Sequence, residues 1–558
     1  MLTRLVCTLT AACAMALAAA QANAVDSYDV LIRGGTVIDG TGKPGVRADV
    51  GVRDGKIVFV GDAKAAQAKD VVDAKGLIVA PGFIDAHNHV PDFFYEMQAR
   101  AGASAKAPQP IVNEAFLLQG VTTIVGGPDG AMAPKEIRKV LEIFKAGGIG
   151  TNYAFYVGHN GVRAEVMGRE QRKPTAAELD QMKRLVREGM QVGAVGLSTG
   201  LMYEPGMFSE TEEVIELAKQ VKPFDGIYDS HVRDPVFKLI ESDEEALRIG
   251  REAGIPVKIG HEKAVGLINK GGIDAVIAMV EKARAAGENV VADQYPYDGA
   301  ATATLDQVII VPEMPDLSIA DDPGVAMPKV QAALRDTSRR AKIKDATEHG
   351  INKGFSWVKA VGYGSMRIVA SKDFPDLVGR NVQLLAKERG KAPFDLLVEL
   401  ILASRTPTMI TLGAIEEQDV RKLLVQPWNM IASDGGYVGK EGSMFEHPRS
   451  TGTFTRVLGH YARDEKQLSL PDAVRKMSAF PADFLRLYDR GYIQTGKAAD
   501  IVVFDAATVR DNSTWSKPNA LSTGVRHVVV SGKVAIKDGA PTGATPGRFI
   551  QRQTRSGS

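Results

Sequence analysis

The long middle section of this chain alternates short apolar runs with helical patterns, and this alternation limits its possible folds more than any other feature. Parallel strands joined by crossover helices produce such a pattern, and eight strands suit a closed (β/α)8 barrel of the α/β class. We expect the eight strands at Ile78–His89, Val121–Gly127, Asn152–His159, Ala194–Leu201, Gly226–Arg233, Pro256–Lys263, Asn289–Tyr297 and Asn429–Gly436.

Polar side chains are concentrated at the carboxyl ends of these runs. Because active sites of such barrels lie at the carboxyl ends of the strands, this placement favours a catalytic barrel. A doubly wound open sheet is the competing fold, but it does not explain polar groups at nearly every strand end. The residues concerned are His87, His89, Asp129, His159, His231, His261, Lys263, Tyr295 and Asp434.

Both ends of the chain have a different pattern, in which short β-type runs are separated by glycine turns. Residues 25–79 and 488–545 predict one β-sandwich built from both ends, although two separate minor domains would give a similar pattern. Residues 80–487 then form the barrel. The gap between its seventh and eighth strands is too long for a simple connection, so we expect an inserted helical subdomain or lid at about 302–426.

Residues 1–24 have the features of a secretory signal peptide. Arg4 precedes an apolar segment from about Leu5 to Ala20, and Ala22-Asn23-Ala24 forms a small-x-small cleavage site. A membrane anchor is the alternative, but the segment is short for one, and no later run reaches the roughly 20 apolar residues of a span. We therefore expect an exported protein, periplasmic or secreted.

The cysteine content and the net charge argue against thiol-based chemistry and against binding to nucleic acid or anionic membranes. The two cysteines of the chain, Cys7 and Cys13, lie in the signal segment, so the mature chain has no thiolate to act as a nucleophile or metal ligand. The 68 basic residues include Arg4, so removing this segment leaves 67 basic residues against 67 acidic ones. This balance gives no reason to expect nucleic acid or an anionic membrane surface as a partner.

A His-x-His pair, His87 and His89, closes the first apolar run. If this run is a strand, both imidazoles point to one face and can bind one metal ion. The alternative is a partly buried strand end with two satisfied histidines. His231, His261 and Asp434 supply further ligands of the types that hydrolase metal sites use, and their joint placement at strand ends favours the metal site.

The chain also carries a series of longer motifs in a fixed order. They are Pro81–His89, Gly196–Leu201, Ser230–Arg233, Gly260–Lys263, Ala292–Tyr297, Ser433–Gly435 and His447–Arg449. In combination they resemble the N-acyl-D-amino-acid deacylases (D-aminoacylases) of the amidohydrolase superfamily. The resemblance covers nearly all of the chain after residue 24, and it implies a (β/α)8 barrel with a β-sandwich.

The resemblance also implies one or two divalent ions, with Zn²⁺ expected. One metal position would use His87, His89 and Asp434, and the other His231 and His261. Family members often complete the second position with a cysteine after the second strand. In this chain the corresponding run is Gly126-Gly127-Pro128-Asp129-Gly130, so Asp129 becomes the candidate ligand, and an ordinary turn residue is the alternative reading.

Many dinuclear amidohydrolases bridge their metals with a carboxylated lysine on the fourth strand. The run Val192–Gly200 contains no lysine, which counts against the hydantoinase, dihydroorotase and phosphotriesterase types.

For the reaction we expect a metal-activated water to attack an amide carbonyl, with Asp434 serving first as general base and then as general acid. By resemblance, Lys263, Tyr295 and Arg449 would bind the carboxylate or carbonyl of a small N-acyl amino acid, with Tyr297 as the alternative tyrosine. The predicted function is hydrolysis of N-acyl-D-amino acids. Another amidase or cyclic amidase of the superfamily, and a non-catalytic barrel scaffold, are the alternatives.

Overall fold

The computed structural model describes residues 27–64, 66–101, 110–314, 323–351, 354–413, 415–439, 442–444 and 446–553. The predicted signal peptide, with Cys7 and Cys13, lies outside the described residues. None of the helices within these ranges combines the length and apolarity that a membrane span requires.

The strands of the described ranges are β1 (Ser27–Val37), β2 (Val46–Arg53), β3 (Lys56–Gly61), β4 (Gln67–Asp73), β5 (Ile78–Pro81), β6 (Phe83–Asp85), β7 (Val121–Gly126), β8 (Asn152–Phe155), β9 (Val157–Gly158), β10 (Gly196–Gly200), β11 (Ile227–His231), β12 (Val257–Ile259), β13 (Val290–Gln294), β14 (Gly299–Thr304), β15 (Met366–Ala370), β16 (Met409–Gly413), β17 (Asn429–Ile431), β18 (Val438–Gly439), β19 (Gly442–Ser443), β20 (Ile501–Phe504), β21 (Val525–Val530), β22 (Lys533–Lys537) and β23 (Ala540–Pro541).

The α-helices are Val90–Ala101, Glu114–Leu117, Pro134–Gly147, His159–Met167, Ala176–Val192, Thr211–Ala218, Leu239–Ala253, Ile273–Ala285, Pro323–Arg335, Arg340–His349, Trp357–Val361, Val382–Glu388, Pro393–Ala403, Glu417–Leu424, Arg449–Arg456, Leu470–Met477 and Ala479–Phe484. A π-helix, Val457–Asp464, continues the helix that ends at Arg456. Short 3₁₀ helices are Gly206–Phe208, Lys222–Phe224, Leu267–Asn269, Asp306–Val308, Tyr363–Ser365 and Pro375–Leu377.

The middle of the chain forms parallel strands in the order that the sequence predicted. Strands β6, β7 and β8 pair in parallel, and β9 to β13 continue with β17 in a second parallel sheet. Only Tyr156 separates β8 from β9, and a parallel bridge between Asn88 and Gly435 connects the segments that follow β6 and β17. The fold is therefore α/β, and its strand neighbours follow one another as an eight-stranded barrel requires.

The first predicted strand, Ile78–His89, is divided by the structure. Residues 78–81 form β5 and residues 83–85 form β6, which belong to different sheets. Gly82 lies between them, and a Cβ added to it would lie 2.3 Å from the Thr122 side chain. The prediction that His87 and His89 share one face of a strand is thus wrong, because both follow the end of β6.

Strands from both chain ends pair in one sheet, in the order β23-β22-β21-β20-β5-β1-β2-β3, with β4 beside β1. The antiparallel pair β5–β20 joins the two ends. Buried residues from both ends share a core, including Ile32, Val50, Val79 and Val503. The alternative of two separate minor domains is therefore wrong.

The segment between β13 and β17 contains both helices and a three-stranded antiparallel sheet in the order β14-β16-β15. The predicted helical subdomain or lid thus contains a sheet in addition to its helices. Thr411 and its neighbour Ile410 are β-branched, and Ile410, Leu412 and Ile368 bury their side chains against the surrounding helices.

The buried Asp500 side chain, directly before β20, joins the terminal sheet to the parallel strands. Arg490 donates to Asp500, and the other Asp500 oxygen accepts from Asn152 Nδ2 at 3.0 Å and from the Ser531 backbone N–H at 2.7 Å. The Asp500 carbonyl also accepts from Gly82 N at 2.8 Å, at the point where the chain passes between the two sheets.

We expect Asp500→Ala to lower the free energy of unfolding by about 3–5 kcal/mol, because it leaves the buried Arg490 cation with only the more exposed Asp489 and removes the acceptor of Asn152 and of the Ser531 N–H. Urea unfolding followed by tryptophan fluorescence measures this. Lys69→Ala is the matched control, since Lys69 forms an exposed ion pair with Asp29 in the same sheet. Equal losses in the two variants would contradict a special role for the buried pair.

Candidate metal centre

Four side chains from the carboxyl ends of four parallel strands converge on one point. His87 follows β6, Asp129 follows β7, His261 follows β12 and Asp434 follows β17. One ligand atom from each lies within 4.8 Å of all the others. His87 Nε2 lies 3.3 Å from Asp129 Oδ1 and 3.6 Å from Asp434 Oδ1, and His261 Nε2 lies 3.4 Å from Asp129 Oδ1.

His89 and His231 extend this cluster on two sides. His89 Nε2 lies 3.2 Å from Asp434 Oδ1 and 3.9 Å from Asp129 Oδ2. His231 Nδ1 lies 3.5 Å from Asp129 Oδ2 and 2.8 Å from His261 Nε2. All six side chains that the sequence predicted as metal ligands therefore meet in one cluster, with Asp129 at its centre.

The backbone around His87 and Asp434 is held by hydrogen bonds between the first and last parallel strands. Asp434 N donates to the His87 carbonyl at 3.0 Å, and His89 N donates to the Gly435 carbonyl at 2.8 Å. Below them, Asp85 accepts from Ser433 N at 2.9 Å. The position of the His-x-His pair therefore depends on this junction rather than on strand alternation.

Three members of the cluster have strained backbones. The φ angles of Asp129, His261 and Asp434 are 54°, 39° and 49°. A non-glycine residue in the left-handed region costs about 1–3 kcal/mol, and such strain persists where the surroundings fix it, often at functional sites. In this protein the three strained residues are those whose side chains meet in the cluster.

The cluster also contains buried polar atoms without hydrogen bonds. Among the described residues, both ring nitrogens of His87, Nε2 of His231 and Oδ1 of Asp129 have no hydrogen-bond partner. Each buried polar atom left without a hydrogen bond destabilises the fold by about 1–3 kcal/mol. A divalent cation bound by imidazole nitrogens and carboxylate oxygens would satisfy those that face the cluster, and the donor set fits zinc.

The electrostatics of the cluster favour ionised acids. Burial raises the pKa of Asp129, but the neighbouring His87 and His231 outweigh it and hold the pKa well below its ordinary value. Burial likewise raises the pKa of Asp434, and Arg449 outweighs it and holds that pKa low. Burial and the Lys263 charge lower the pKa of His261 to about 3, so its imidazole is neutral, as a metal ligand must be.

Two cations lie beside the cluster. Arg449 Nη1 donates to Asp434 Oδ2 at 2.6 Å, and Lys263 Nζ lies 2.6 Å from His261 Nδ1. Both cations also face the Tyr295 ring, at 5.0 Å for the Arg449 guanidinium carbon and 5.4 Å for Lys263 Nζ. Tyr297 instead donates to Asp511 Oδ2 at 3.3 Å, so the structure places Tyr295 with the two cations.

Sequence reasoning missed several neighbours of the cluster. Tyr203 OH lies 3.3 Å from His231 Nδ1, and Asp92 Oδ2 lies 2.7 Å from His89 Nδ1. Asp92 lies three residues after His89 in the helix that follows, which is a signal that could have been used. His447 Nδ1 accepts from the Arg449 backbone N–H at 3.1 Å.

His159, for which the sequence predicts no particular role, is fully buried. Its Nε2 lies 2.9 Å from Glu213 Oε1, and the other oxygen of Glu213 accepts from Arg163 at 2.8 Å. Within the described residues, these contacts assign His159 to a buried ion network around Glu213.

Comparison with known proteins gives the family. The family model described as "Amidohydrolase family" matches residues 70–221 and 377–536, and a model of the N-terminal domain of the urease alpha-subunit matches residues 10–83. A D-aminoacylase of Alcaligenes xylosoxydans xylosoxydans is 34% identical over 548 residues, which cover 94% of this chain and 98% of that protein. The chain belongs to the N-acyl-D-amino-acid deacylases.

Two solved structures of this deacylase family resemble the chain. A D-aminoacylase crystal structure matches with a TM-score of 0.73 and 32% identity, covering 94% of this chain and all of that one. An N-acyl-D-glutamate deacylase from Bordetella bronchiseptica, complexed with zinc and a phosphonate mimic of the tetrahedral intermediate, matches with a TM-score of 0.73 and 30% identity over the same shares. The resemblance predicted from the sequence is confirmed, and the chain is an amidohydrolase.

Proposed function

We propose that this amidohydrolase cleaves the amide bond of N-acyl-D-amino acids, releasing a carboxylate and a free D-amino acid. The observation that carries the proposal is the convergence of His87, Asp129, His261 and Asp434 within 4.8 Å, beside the cations Lys263 and Arg449. A hydrolytic centre next to two cations suits a substrate with a free carboxylate near the amide. The similarity to D-aminoacylase over 94% of the chain supports this substrate class.

One or two divalent ions would be held here. His87, His89 and Asp434 would supply one metal position, and His231 and His261 the other, with Asp129 as the candidate third ligand of the second. Bound there, Zn²⁺ or another divalent ion would supply Lewis acidity toward the amide carbonyl and the attacking water. Asp129 stands where many relatives place a cysteine. Its oxygen is a harder donor than sulfur, so its position suits ions that prefer oxygen better than a thiolate would.

Asp434 is suited to move the proton in this reaction. Its Oδ2 is held by Arg449, while Oδ1 faces His87 and His89 and is directed into the cluster. Oδ1 would accept a proton from the water as the new C–O bond forms, and would return it to the amine nitrogen as the C–N bond breaks. One carboxylate thus serves as base and then as acid.

Lys263, Arg449 and Tyr295 would bind the substrate carboxylate. The planar Arg449 side chain offers several N–H donors, so it can contact Asp434 with one of them and a carboxylate with others. Lys263 contributes a point charge, with its Nζ 5.4 Å from the centre of the Tyr295 ring. Holding the carboxylate here and the amide at the metal would fix two substituents of the α-carbon. Selection of the D-form then needs a third contact, with the side chain or the α-hydrogen.

We further propose a specific domain architecture for this chain and its export from the cytoplasm. The parallel strands would form a closed (β/α)8 barrel, the terminal sheet a β-sandwich domain, and the segment of about 302–426 an insertion over the barrel. Residues 1–24 would act as a signal peptide and direct the enzyme to the periplasm or the medium.

The test is a panel of N-acetyl-D-amino acids, their L-enantiomers and dihydropyrimidines, assayed with the protein as purified, after chelation, and after addition of Zn²⁺. We expect turnover of the D-forms alone, its loss on chelation and its recovery with Zn²⁺. Preferential turnover of dihydropyrimidines would instead support a cyclic amidase. Protein that binds no transition metal and hydrolyses none of these compounds would support a scaffold.

A further inference from the structure

A lysine lies fully buried beneath the cluster of metal ligands. Lys258 is in β12, three residues before His261, and its side chain has no solvent exposure. Its Nζ lies 2.8 Å from Asp229 Oδ1 and also donates to Asp293, and both carboxylates are equally buried. Asp229 and Asp293 belong to β11 and β13, the strands on either side of β12.

One of these carboxylates fixes the backbone of His261. Asp293 Oδ1 accepts from the His261 backbone N–H at 2.5 Å. His261 has a φ of 39°, a conformation that needs support from its surroundings. The contact with Asp293 supplies such support, and Asp293 is in turn held by Lys258.

The other carboxylate lies near His87. A Cβ placed on Gly260 would lie 3.1 Å from Asp229 Oδ1 and 3.2 Å from His87 Nδ1, so both atoms border the same small space beside the glycine. His87 Nε2 points the other way, toward Asp129 and Asp434. His87 Nδ1 and Asp229 form no hydrogen bond with each other, but the nearby carboxylate favours the tautomer with its proton on Nδ1, which leaves the Nε2 lone pair for an ion.

A third contact links Lys258 to the segment that carries His87. Lys258 Nζ lies 5.6 Å from the centre of the Tyr156 ring, and Tyr156 OH donates to the carbonyl of Ala86 at 3.1 Å. Burial lowers the pKa of Lys258, but Asp229 and Asp293 outweigh it and hold the pKa well above its ordinary value. Lys258 therefore remains a cation between two acids.

We propose that Lys258 is a positioning residue of the metal centre, which holds Asp229 and Asp293 so that they orient His87 and His261 toward the ion. Without the cation, two buried carboxylates of like charge would face each other across β12, and either would move or take up a proton. This inference rests on the proposed function, because it concerns the same metal ion.

The test compares Lys258→Met with wild-type protein in two measurements of metal binding. Competition with a chelator gives the Zn²⁺ affinity, and the visible absorption spectrum of Co²⁺-loaded protein reports the ligand geometry. We expect the variant to bind Zn²⁺ about 10- to 100-fold more weakly, the range found when groups that orient metal ligands are removed, and to show an altered Co²⁺ spectrum.

Lys476→Met is the matched control. Lys476 is also buried, but its Nζ donates to the backbone carbonyls of Gln426 and Asn429, at the amino-terminal end of β17 and away from Asp434. The Lys476→Met variant should keep the Zn²⁺ affinity and the Co²⁺ spectrum of the wild-type protein. A folded Lys258→Met protein with wild-type values in both measurements would overturn the inference.

A milder variant covers the case in which Lys258→Met does not fold. Asp293→Asn keeps an oxygen for the His261 N–H but loses its charge, and we expect at least a severalfold loss of Zn²⁺ affinity. Unchanged affinity in this variant would also overturn the inference. Wild-type protein that takes up no Zn²⁺ would contradict the proposed function itself, and the positioning role with it.

Discussion

Asp434→Asn is expected to lower kcat by about 10²–10⁴-fold, the range that a positioned general acid or base contributes. The asparagine keeps the size of the side chain, and its oxygen can still face the cluster, but it cannot take a proton from water or return one to the leaving amine. The measurement is kcat for an N-acetyl-D-amino acid at saturating Zn²⁺, together with the metal content of the purified variant.

Asp419→Asn is a suitable control for this experiment. Asp419 is also buried, and its Oδ2 accepts from the Gly271 backbone N–H at 3.1 Å, a contact that an asparagine oxygen can keep. Its kcat should stay near the wild-type value. An Asp434→Asn enzyme that retained both its metal and nearly full turnover would remove Asp434 from proton transfer and leave it at most a ligand.

The strand order and the members of the cluster could be predicted because both depend on local pattern. Each of the eight predicted apolar runs contains a strand or strands of the two parallel sheets, and the polar residues at their ends converge since parallel strands place their carboxyl ends together. The prediction about His87 and His89 relied on strand alternation, but both residues follow the end of β6. Their convergence is set by hydrogen bonds to a segment some 345 positions later in the chain.

What the sequence did not predict depends on contacts between distant segments. Nothing near Lys258 in the sequence indicates that Asp229 and Asp293 neutralise it, because the three meet only through the pairing of β11, β12 and β13. Tyr203 likewise reaches His231 from the segment after β10. The antiparallel sheet of the insertion pairs strands separated by long helical segments, and its short strands gave no periodic signal.

Arg449→Met is expected to lower kcat/KM for N-acyl-D-amino acids by roughly 30- to 5000-fold. Truncating one partner of a buried, hydrogen-bonded charge pair costs about 2–5 kcal/mol, and each 1.4 kcal/mol is a tenfold change. Two losses combine here. Asp434 Oδ2 loses the donor that lies 2.6 Å away, and the substrate carboxylate loses a guanidinium partner.

A change of substrate separates these two losses. With an N-acyl-D-amino acid amide, which has no carboxylate, Arg449→Met can only act through Asp434, so the fold decrease should be much smaller than with the free acid. Arg449→Lys keeps a charge but not the planar fork, and should fall between wild type and Arg449→Met. Arg456→Met, on the same helix but directed to Pro296 and Asp511, is the control and should leave both substrates unaffected. An equal decrease with acid and amide would show that Arg449 acts through Asp434 alone, and would remove Arg449 from recognition of the substrate carboxylate.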